Sequence, residues 1–492
     1  MLMTDLLDRT VSRYPERRAI ADSEKSYTFT QLRRLARITA ARIPQQEKTP
    51  VGVVAHRCAE TAALFMGVLY SGNAYLPLDP DWPAEKLRSV LEETHVGLVL
   101  SCREEAHEGS ARWLTVDLAQ EQEPPVPLPL PDADRPLYYG STSGSTGKPK
   151  CICKTHYAMG AFLEAYLGTF SFDENTVIGN QTPFCFDASA KDLYLMAACG
   201  ACLEILPTEL FSMPVRLITY MDQRRVNFIS WVPSALSIVS KLNTFTEIVP
   251  QYLNRVFFVG EVFPVRQFLK WKKALPQAEF VNLYGSSEIC GVACVCPITE
   301  EPSEALGLPL GRPLPGCRVC LVDQGRVITE PGVPGEIWIA SDALALGYYG
   351  DPERTERQFT VTDLGGGPRR WYHSGDIARY DGEGLLYFSA REDYQIKRMG
   401  HRIELGEIET AAQSLEGIES CCCLYRTARQ QIVLYCVPQK GSDLTEARVM
   451  TGLRCRIPGY MVPQRVVFLE EFPVNANGKI DRAAMSAALN KK

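Results

Sequence analysis

Residues 141–150 read STSGSTGKPK, a run of small, hydroxyl-bearing and cationic residues behind the strand-like LYY. Glycines let a backbone turn tightly, and consecutive N–H groups with Ser and Thr hydroxyls wrap an anion. A phosphate-binding loop is the chemistry this composition supports, with a plain Ser/Gly linker as the alternative. A Walker A loop requires G-x-x-x-x-G-K-[ST]. Counting back from Gly147 puts Thr142 where its first glycine belongs, and Pro149 stands where its magnesium-binding hydroxyl belongs. The loop is therefore of another type.

Four further stretches carry groups suited to nucleotide chemistry. NLYGSSE (282–288) ends an apolar run with an aromatic, a glycine, two hydroxyls and a carboxylate. An aromatic there can stack on a nucleobase, and Glu288 offers the hard oxygen that Mg²⁺ prefers. WYHSGDIARY (371–380) sets Asp376 in a Ser-Gly-Asp turn, suited to both hydroxyls of a ribose. AREDYQIKRMGHRIELGEIE (390–409) follows, and NANGKIDR (475–482) presents Lys479 beside a glycine. Each stretch alone also reads as a surface turn, a helix cap or a solvated charge.

The elements around these motifs alternate between helical and strand periodicity in the first half, which predicts a parallel sheet with crossover helices. Thr30 is a candidate cap for a helix with Leu32, Leu35 and Ile38 on one face. VGVVA (51–55) and VGLVL (96–100) read as buried strands, and the Pro- and acid-rich stretch 121–136 as a connector. RVFFVGE (255–261) and AEFVNLYG (278–285) end in Gly and polar residues, where open α/β sheets hold ligands. From about 305 short strands predict a smaller β subdomain, and the last hundred residues a separate α+β domain. The expected fold is thus α/β: a large N-terminal domain, residues 1–391, of stacked mixed and parallel sheets with helices and a small β-barrel-like subdomain, subdivided near 135 and 305. A small mobile α+β domain, 392–492, follows.

The chain has 492 residues, 46% hydrophobic and 22% charged, with a net charge of −6. That charge argues against a nucleic-acid binder, which needs a basic face. No apolar run reaches the roughly 18 residues of a membrane span, and no apolar stretch near the N-terminus resembles a signal peptide. The expected location is cytoplasmic. Most of the 17 cysteines lie in apolar stretches, where reduced Cys packs as a small hydrophobe. The CxxC pairs Cys199/Cys202 and Cys317/Cys320 lack the further ligands of a zinc array, and CCCLYR reads as a buried strand.

In this order and spacing, STSGSTGKPK, YGSSE, HSGD, ARxDxQIKxxGxRIExxEIE and NGKID resemble the adenylate-forming (ANL) superfamily. More closely they resemble the freestanding amino-acid adenylation domains of nonribosomal peptide synthesis. SGNAYLPLDPDWP (71–83) and GEVFP (260–264) are similar to D-alanine:carrier-protein ligases. The resemblance runs from about residue 20 to 482. It implies an AMP-forming ligase that joins a carboxylate to the α-phosphate of ATP, then passes the acyl group to a phosphopantetheine thiol. Thr142, Ser143, Gly144, Ser145, Thr146, Gly147 and Lys150 would cradle the phosphates, and Glu288 would hold Mg²⁺. Gly260, Asn282 and Tyr284 would line the adenine site, Gly285 and Ser287 would also bind ATP, and Asp376 would take the ribose with Arg391 nearby. Lys479 would bridge carboxylate and α-phosphate. The C-terminal domain would swing about Asp393, exchanging Lys479 for the 397–402 segment.

The resemblance also implies an acid pocket. Asp187, in FDASAKD, would take a substrate ammonium, with a helix-capping role as the alternative. Ala188, Lys191, Ser230, Phe257, Val259, Leu283, Gly291 and Val292 would form the wall. Lysine in an apolar pocket needs an anion, so Lys191 points to glutamate or aspartate as substrate. D-alanine or another small or medium amino acid is the alternative, then an acyl or aryl acid for a CoA ligase, and last a non-catalytic scaffold. No carrier-attachment or condensation motif is present, so the carrier protein is expected in trans, with no nucleic-acid or membrane partner. Cys151 stands where the family has glycine.

Overall fold

The computed structural model describes residues 1–44, 49–105, 110–118, 132–142, 150–391, 395–473, 480, 482 and 485. The chain divides into two compact units. The first comprises Met1–Asp79, Thr94–Ser141 and Cys151–Glu392. The second comprises Pro80–Glu93, Thr142–Lys150 and Asp393–Lys492.

The first unit is built on a nine-stranded sheet. Its middle runs Glu279–Tyr284, Arg255–Val259, Phe228–Trp231, Val177–Asn180, Cys202–Ile205 and Arg18–Ala21, all neighbours parallel. Such strands are covered on both faces, which is why RVFFV and EFVNLY read as nearly continuous apolar runs. The alternation sorts their side chains between two cores. Phe228, Phe257, Val281 and Leu283 enter one, while Ile229, Trp231, Val256, Phe258 and Phe280 enter the other. A seven-stranded sheet carries Lys150–Thr155 beside Pro136–Thr142 and Tyr75–Leu78. An antiparallel sheet of six strands holds Arg369–Tyr380 against Leu386–Arg391. Its strands lie between Cys317 and Arg391.

The helix Phe29–Ala40 corrects one local expectation. Its cap is Thr28, not Thr30: Thr28 accepts from the Gln31 N–H and the Gln31 side chain accepts from the Thr28 N–H. Thr30 instead donates to the Pro15 carbonyl at 2.9 Å. The T-x-x-Q capping box decides between the two threonines.

In the second unit Ile418–Arg426 pairs antiparallel with Gln431–Pro438, and Arg465–Phe468 adds parallel to it. The triple cysteine splits across this sheet. Cys421 and Cys423 pack with Ile408, Val449 and Leu453, which the helices Leu405–Gln413 and Glu446–Arg454 supply, and Cys422 packs on the far side with Leu424 and Met485. Lys86 pairs with Glu407 at 2.5 Å, both buried.

Candidate nucleotide and acid site

Strand ends position the nucleotide-site candidates of the first unit. Tyr284 closes the strand Glu279–Tyr284, and its hydroxyl donates to Asp376 Oδ2 at 2.7 Å. Burial, then the negative charge of Asp376, holds that phenol far above its ordinary pKa, so it remains a donor. Asp376 is cross-strand neighbour to Arg391, and the two form an ion pair. The carboxylate is 1% exposed. A buried carboxylate is tolerable because a guanidinium and a phenol both meet it. Asn282, two residues before Tyr284, donates to the Pro309 carbonyl at 2.7 Å.

The turn after Tyr284 requires glycine twice. A Cβ on Gly285 would lie 2.7 Å from the Gly291 carbonyl oxygen, and Gly291 has φ +70° with Phe162 ring atoms 2.3 Å from where its Cβ would be. Ser286 Oγ is buried with no hydrogen-bond partner among the described residues. Glu288 is buried and accepts from the Tyr348 hydroxyl at 2.8 Å. An orphaned buried hydroxyl beside a buried carboxylate is a donor set that fits a hard cation with phosphate oxygens. Gly260 has φ +96° just past Val259.

The acid-pocket candidates converge by register. Ser230 pairs with Phe257, and Val259 with Leu283, in parallel strands where partners share a face. The four therefore line one face of the nine-stranded sheet. Ser230 Oγ is buried without a partner among the described residues. Phe257 stands in an aromatic cluster with Phe170 and Phe228. Asp187, Ala188 and Lys191 lie at the start of the helix Ala188–Cys199, and the Lys191 ammonium is 5.9 Å from the Phe228 ring centre. Val292 is buried next to Gly291.

Two charges behave differently from the sequence expectation. Lys191 pairs with its neighbour Asp192, which also accepts from Asn180 at 3.1 Å. An anion for Lys191 is thus present inside the fold. Asp187 takes the N-cap position of its helix but makes no capping bond. Its Oδ1 instead accepts from the Tyr138 hydroxyl and from Lys154 Nζ. Lys154, Tyr138 and Tyr348 escaped the sequence reading. The one visible signal was a lysine inside the apolar strand CICKT.

Lys150 belongs to the second unit, where it is buried and pairs with Glu404. Glu404 also accepts from Gln395 at 2.6 Å, and Gln395 accepts from Arg402 at 2.6 Å. Thr142 ends the strand Pro136–Thr142. Ser143, Gly144, Ser145, Thr146, Gly147, Asp393 and Lys479 lie outside the described residues.

The family model described as "AMP-binding enzyme" matches residues 7–349, and "AMP-binding enzyme C-terminal domain" matches 407–479. The chain belongs to the AMP-binding enzyme family. One plipastatin synthase component of Bacillus subtilis (strain 168) is 33% identical over 499 residues, 98% of this AMP-binding enzyme but 19% of that protein. The chain spans about a fifth of the length of the plipastatin synthase relatives it matches. D-alanine–D-alanyl carrier protein ligase of Bacillus cytotoxicus is 27% identical over 501 residues, 98% of both chains. Among solved structures, a holo nonribosomal-peptide-synthetase protein with adenylation and PCP domains, bound to a vinylsulfonamide inhibitor, superposes with a TM-score of 0.85. It is 26% identical, covering 98% of this chain and 84% of that one. This AMP-binding enzyme is a member of the adenylate-forming (ANL) superfamily, related to D-alanyl carrier-protein ligases and nonribosomal adenylation domains. Its family uses ATP. Among the described residues no helix is long and apolar enough to cross a membrane.

Proposed function

We propose that this enzyme joins a carboxylic acid to the α-phosphorus of ATP, releases pyrophosphate, and transfers the acyl group to the phosphopantetheine thiol of a separate carrier protein. The observation that carries the reading is the Tyr284–Asp376–Arg391 cluster at two strand ends, within a chain of this family. Asp376 receives the ribose hydroxyls, fixed by Tyr284 and Arg391. Asn282, Tyr284 and Gly260 line the adenine, and Gly285 and Ser287 also bind ATP. Positioning and charge neutralisation dominate such a displacement at phosphorus. Thr142 to Gly147 and Lys150 hold the β- and γ-phosphates. Lys479 would bridge carboxylate and α-phosphate as a point charge. Glu288 would hold Mg²⁺, which when bound would supply charge neutralisation at the phosphate oxygens.

After adenylation, the C-terminal domain, 392–492, turns about Asp393 relative to 1–391 and brings the 397–402 segment to the thiol-transfer site. The carrier comes in trans, and the reaction takes place in the cytoplasm.

The acid pocket is formed by Ala188, Lys191, Ser230, Phe257, Val259, Leu283, Gly291 and Val292. An amino acid, with its ammonium on Asp187, is supported by the relative named for D-alanine. Glutamate or aspartate would have to displace Asp192 from Lys191. A second reading, an acid without an ammonium as in acyl or aryl acid ligases, is favoured by the Lys154–Asp187 pair. The test of the overall reaction is intact-mass measurement of phosphopantetheinylated carrier proteins incubated with enzyme, ATP and acid. A mass gain equal to the acyl group is expected. AMP formation with unmodified thiol for every carrier would refute the transfer step.

A further inference from the structure

The carboxylate read as the receptor for a substrate ammonium already has an ammonium on it. Lys154 lies in the strand Lys150–Thr155, every residue of which is buried, and its side chain is 0% exposed. Its Nζ donates to Asp187 Oδ1 and, at 3.4 Å, to the Ile289 carbonyl, and sits 5.3 Å from the Tyr138 ring centre. Tyr138 donates its hydroxyl to the same Asp187 oxygen. The nearby Cys290 thiol is pushed up to about 12 by burial and stays neutral, so it offers Lys154 no counter-charge. Asp187 is the one acid that touches Lys154 among the described residues.

The charge balance of this cluster has a consequence for specificity. Lys154 and Asp187 sum to zero. Pulling Asp187 away would leave a buried cation unpaired, which folds avoid at high cost. The pair therefore persists when substrate arrives. An α-ammonium placed against Asp187 would be a second cation on one carboxylate, inside surroundings where like charges repel strongly. The cleft beside Asp187 is walled by Phe65, Tyr75, Phe184 and Leu193, which offer no further anion.

We infer that Lys154 is a specificity-determining residue: it fills from within the ion-pair site on Asp187, and the acid this enzyme activates is uncharged at its α-position. Hydrogen, hydroxyl or keto oxygen at that carbon leaves the Lys154–Asp187 pair neutral, whereas ammonium does not. The inference rests on the adenylation reading and on Asp187 as the residue facing the α-substituent.

The test compares matched acids that differ only in the α-ammonium: alanine with propionate, leucine with 4-methylpentanoate, phenylalanine with 3-phenylpropionate, glutamate with glutarate. ATP–pyrophosphate exchange is measured for the wild type, Lys154→Met and Lys154→Arg. The wild type is expected to favour the ammonium-free member of the pair it accepts. Lys154→Met should move the kcat/KM ratio toward the amino acid by about tenfold or more, the factor of one pK unit of charge interaction. Lys154→Arg should keep the wild-type preference. The wild-type ratio needs no variant, so it decides even where Lys154→Met fails to fold. Preference for the amino acid in the wild type overturns the inference while leaving adenylation intact. No exchange with any acid overturns the adenylation reading and this inference with it.

Discussion

The hydroxyl of Tyr284 donates to Asp376 at 2.7 Å, joining residues 92 positions apart in the chain. One ends a strand of the parallel sheet and the other lies mid-strand in the antiparallel sheet, opposite Arg391. A carboxylate so fixed cannot rotate freely, and pre-orientation of this kind is how a site recognises a diol without ordering itself at each encounter.

Asp376→Asn keeps the shape but leaves Arg391 without its anion. Losing one member of a buried pair costs about 3 kcal/mol. Stability should fall by about that amount, and kcat/KM for ATP by roughly 100-fold, because hydrogen bonds from the ribose hydroxyls to a charged carboxylate are worth about 1.5–3 kcal/mol. Steady-state kinetics at varied ATP check it, and an unchanged value would remove Asp376 from the nucleotide site.

Tyr348 positions Glu288 through its hydroxyl, 2.8 Å from the carboxylate. Tyr348→Phe removes the hydroxyl that makes that bond and keeps the ring. Supporting partners of metal ligands are worth about 10- to 100-fold in metal affinity. The Mg²⁺ concentration for half-maximal activity should therefore rise about tenfold, as read from an Mg²⁺ titration. An unshifted titration would place the metal elsewhere.

Gly291→Ala meets two obstacles: a left-handed backbone and a Cβ 2.3 Å from Phe162. Strain of the first kind alone costs of order 1–3 kcal/mol. Chemical denaturation should show a loss of about 2 kcal/mol or more once the steric conflict is added.

His156 accepts at Nδ1 from the Met3 N–H at 3.0 Å and is buried, which pushes its pKa down to about 3. The unfolded chain binds its proton near pH 6.5, so stability present above that value is lost as pH falls toward the folded pKa. Between pH 6.5 and 5 the loss is about 2 kcal/mol, at 1.36 kcal/mol per pH unit for one proton. Denaturation at the two pH values checks it, and His156→Asn should flatten the difference.

The sequence motifs located the strand ends because parallel strands advertise themselves as apolar runs with glycine behind them. The strand ends at Val259 and Tyr284 were legible for that reason, whereas Phe257 and Leu283 as pocket residues came from the resemblance to the family, and Asp376 from its own HSGD motif in an antiparallel strand. For Lys191 a counter-ion was close at hand: the sequence says KD, and Asp192 pairs with it in the fold. Lys154 was harder. Its partner stands 33 residues away in a different sheet's covering helix, and only tertiary packing brings the two together. Cys151 also yields to packing. It is buried in the strand Lys150–Thr155, and its carbonyl accepts from the Tyr349 N–H at 2.7 Å. A small apolar side chain suits that place, where glycine would weaken the strand.

The central claim is cleavage of ATP between its α- and β-phosphates at the expense of a carboxylic acid. Exchange of labelled pyrophosphate into ATP, run with a panel of amino acids and their ammonium-free analogues, tests it most directly. Exchange should depend on one class of acid and be abolished by Lys479→Ala. Exchange with none of the acids, or release of ADP and phosphate instead of AMP, would contradict it.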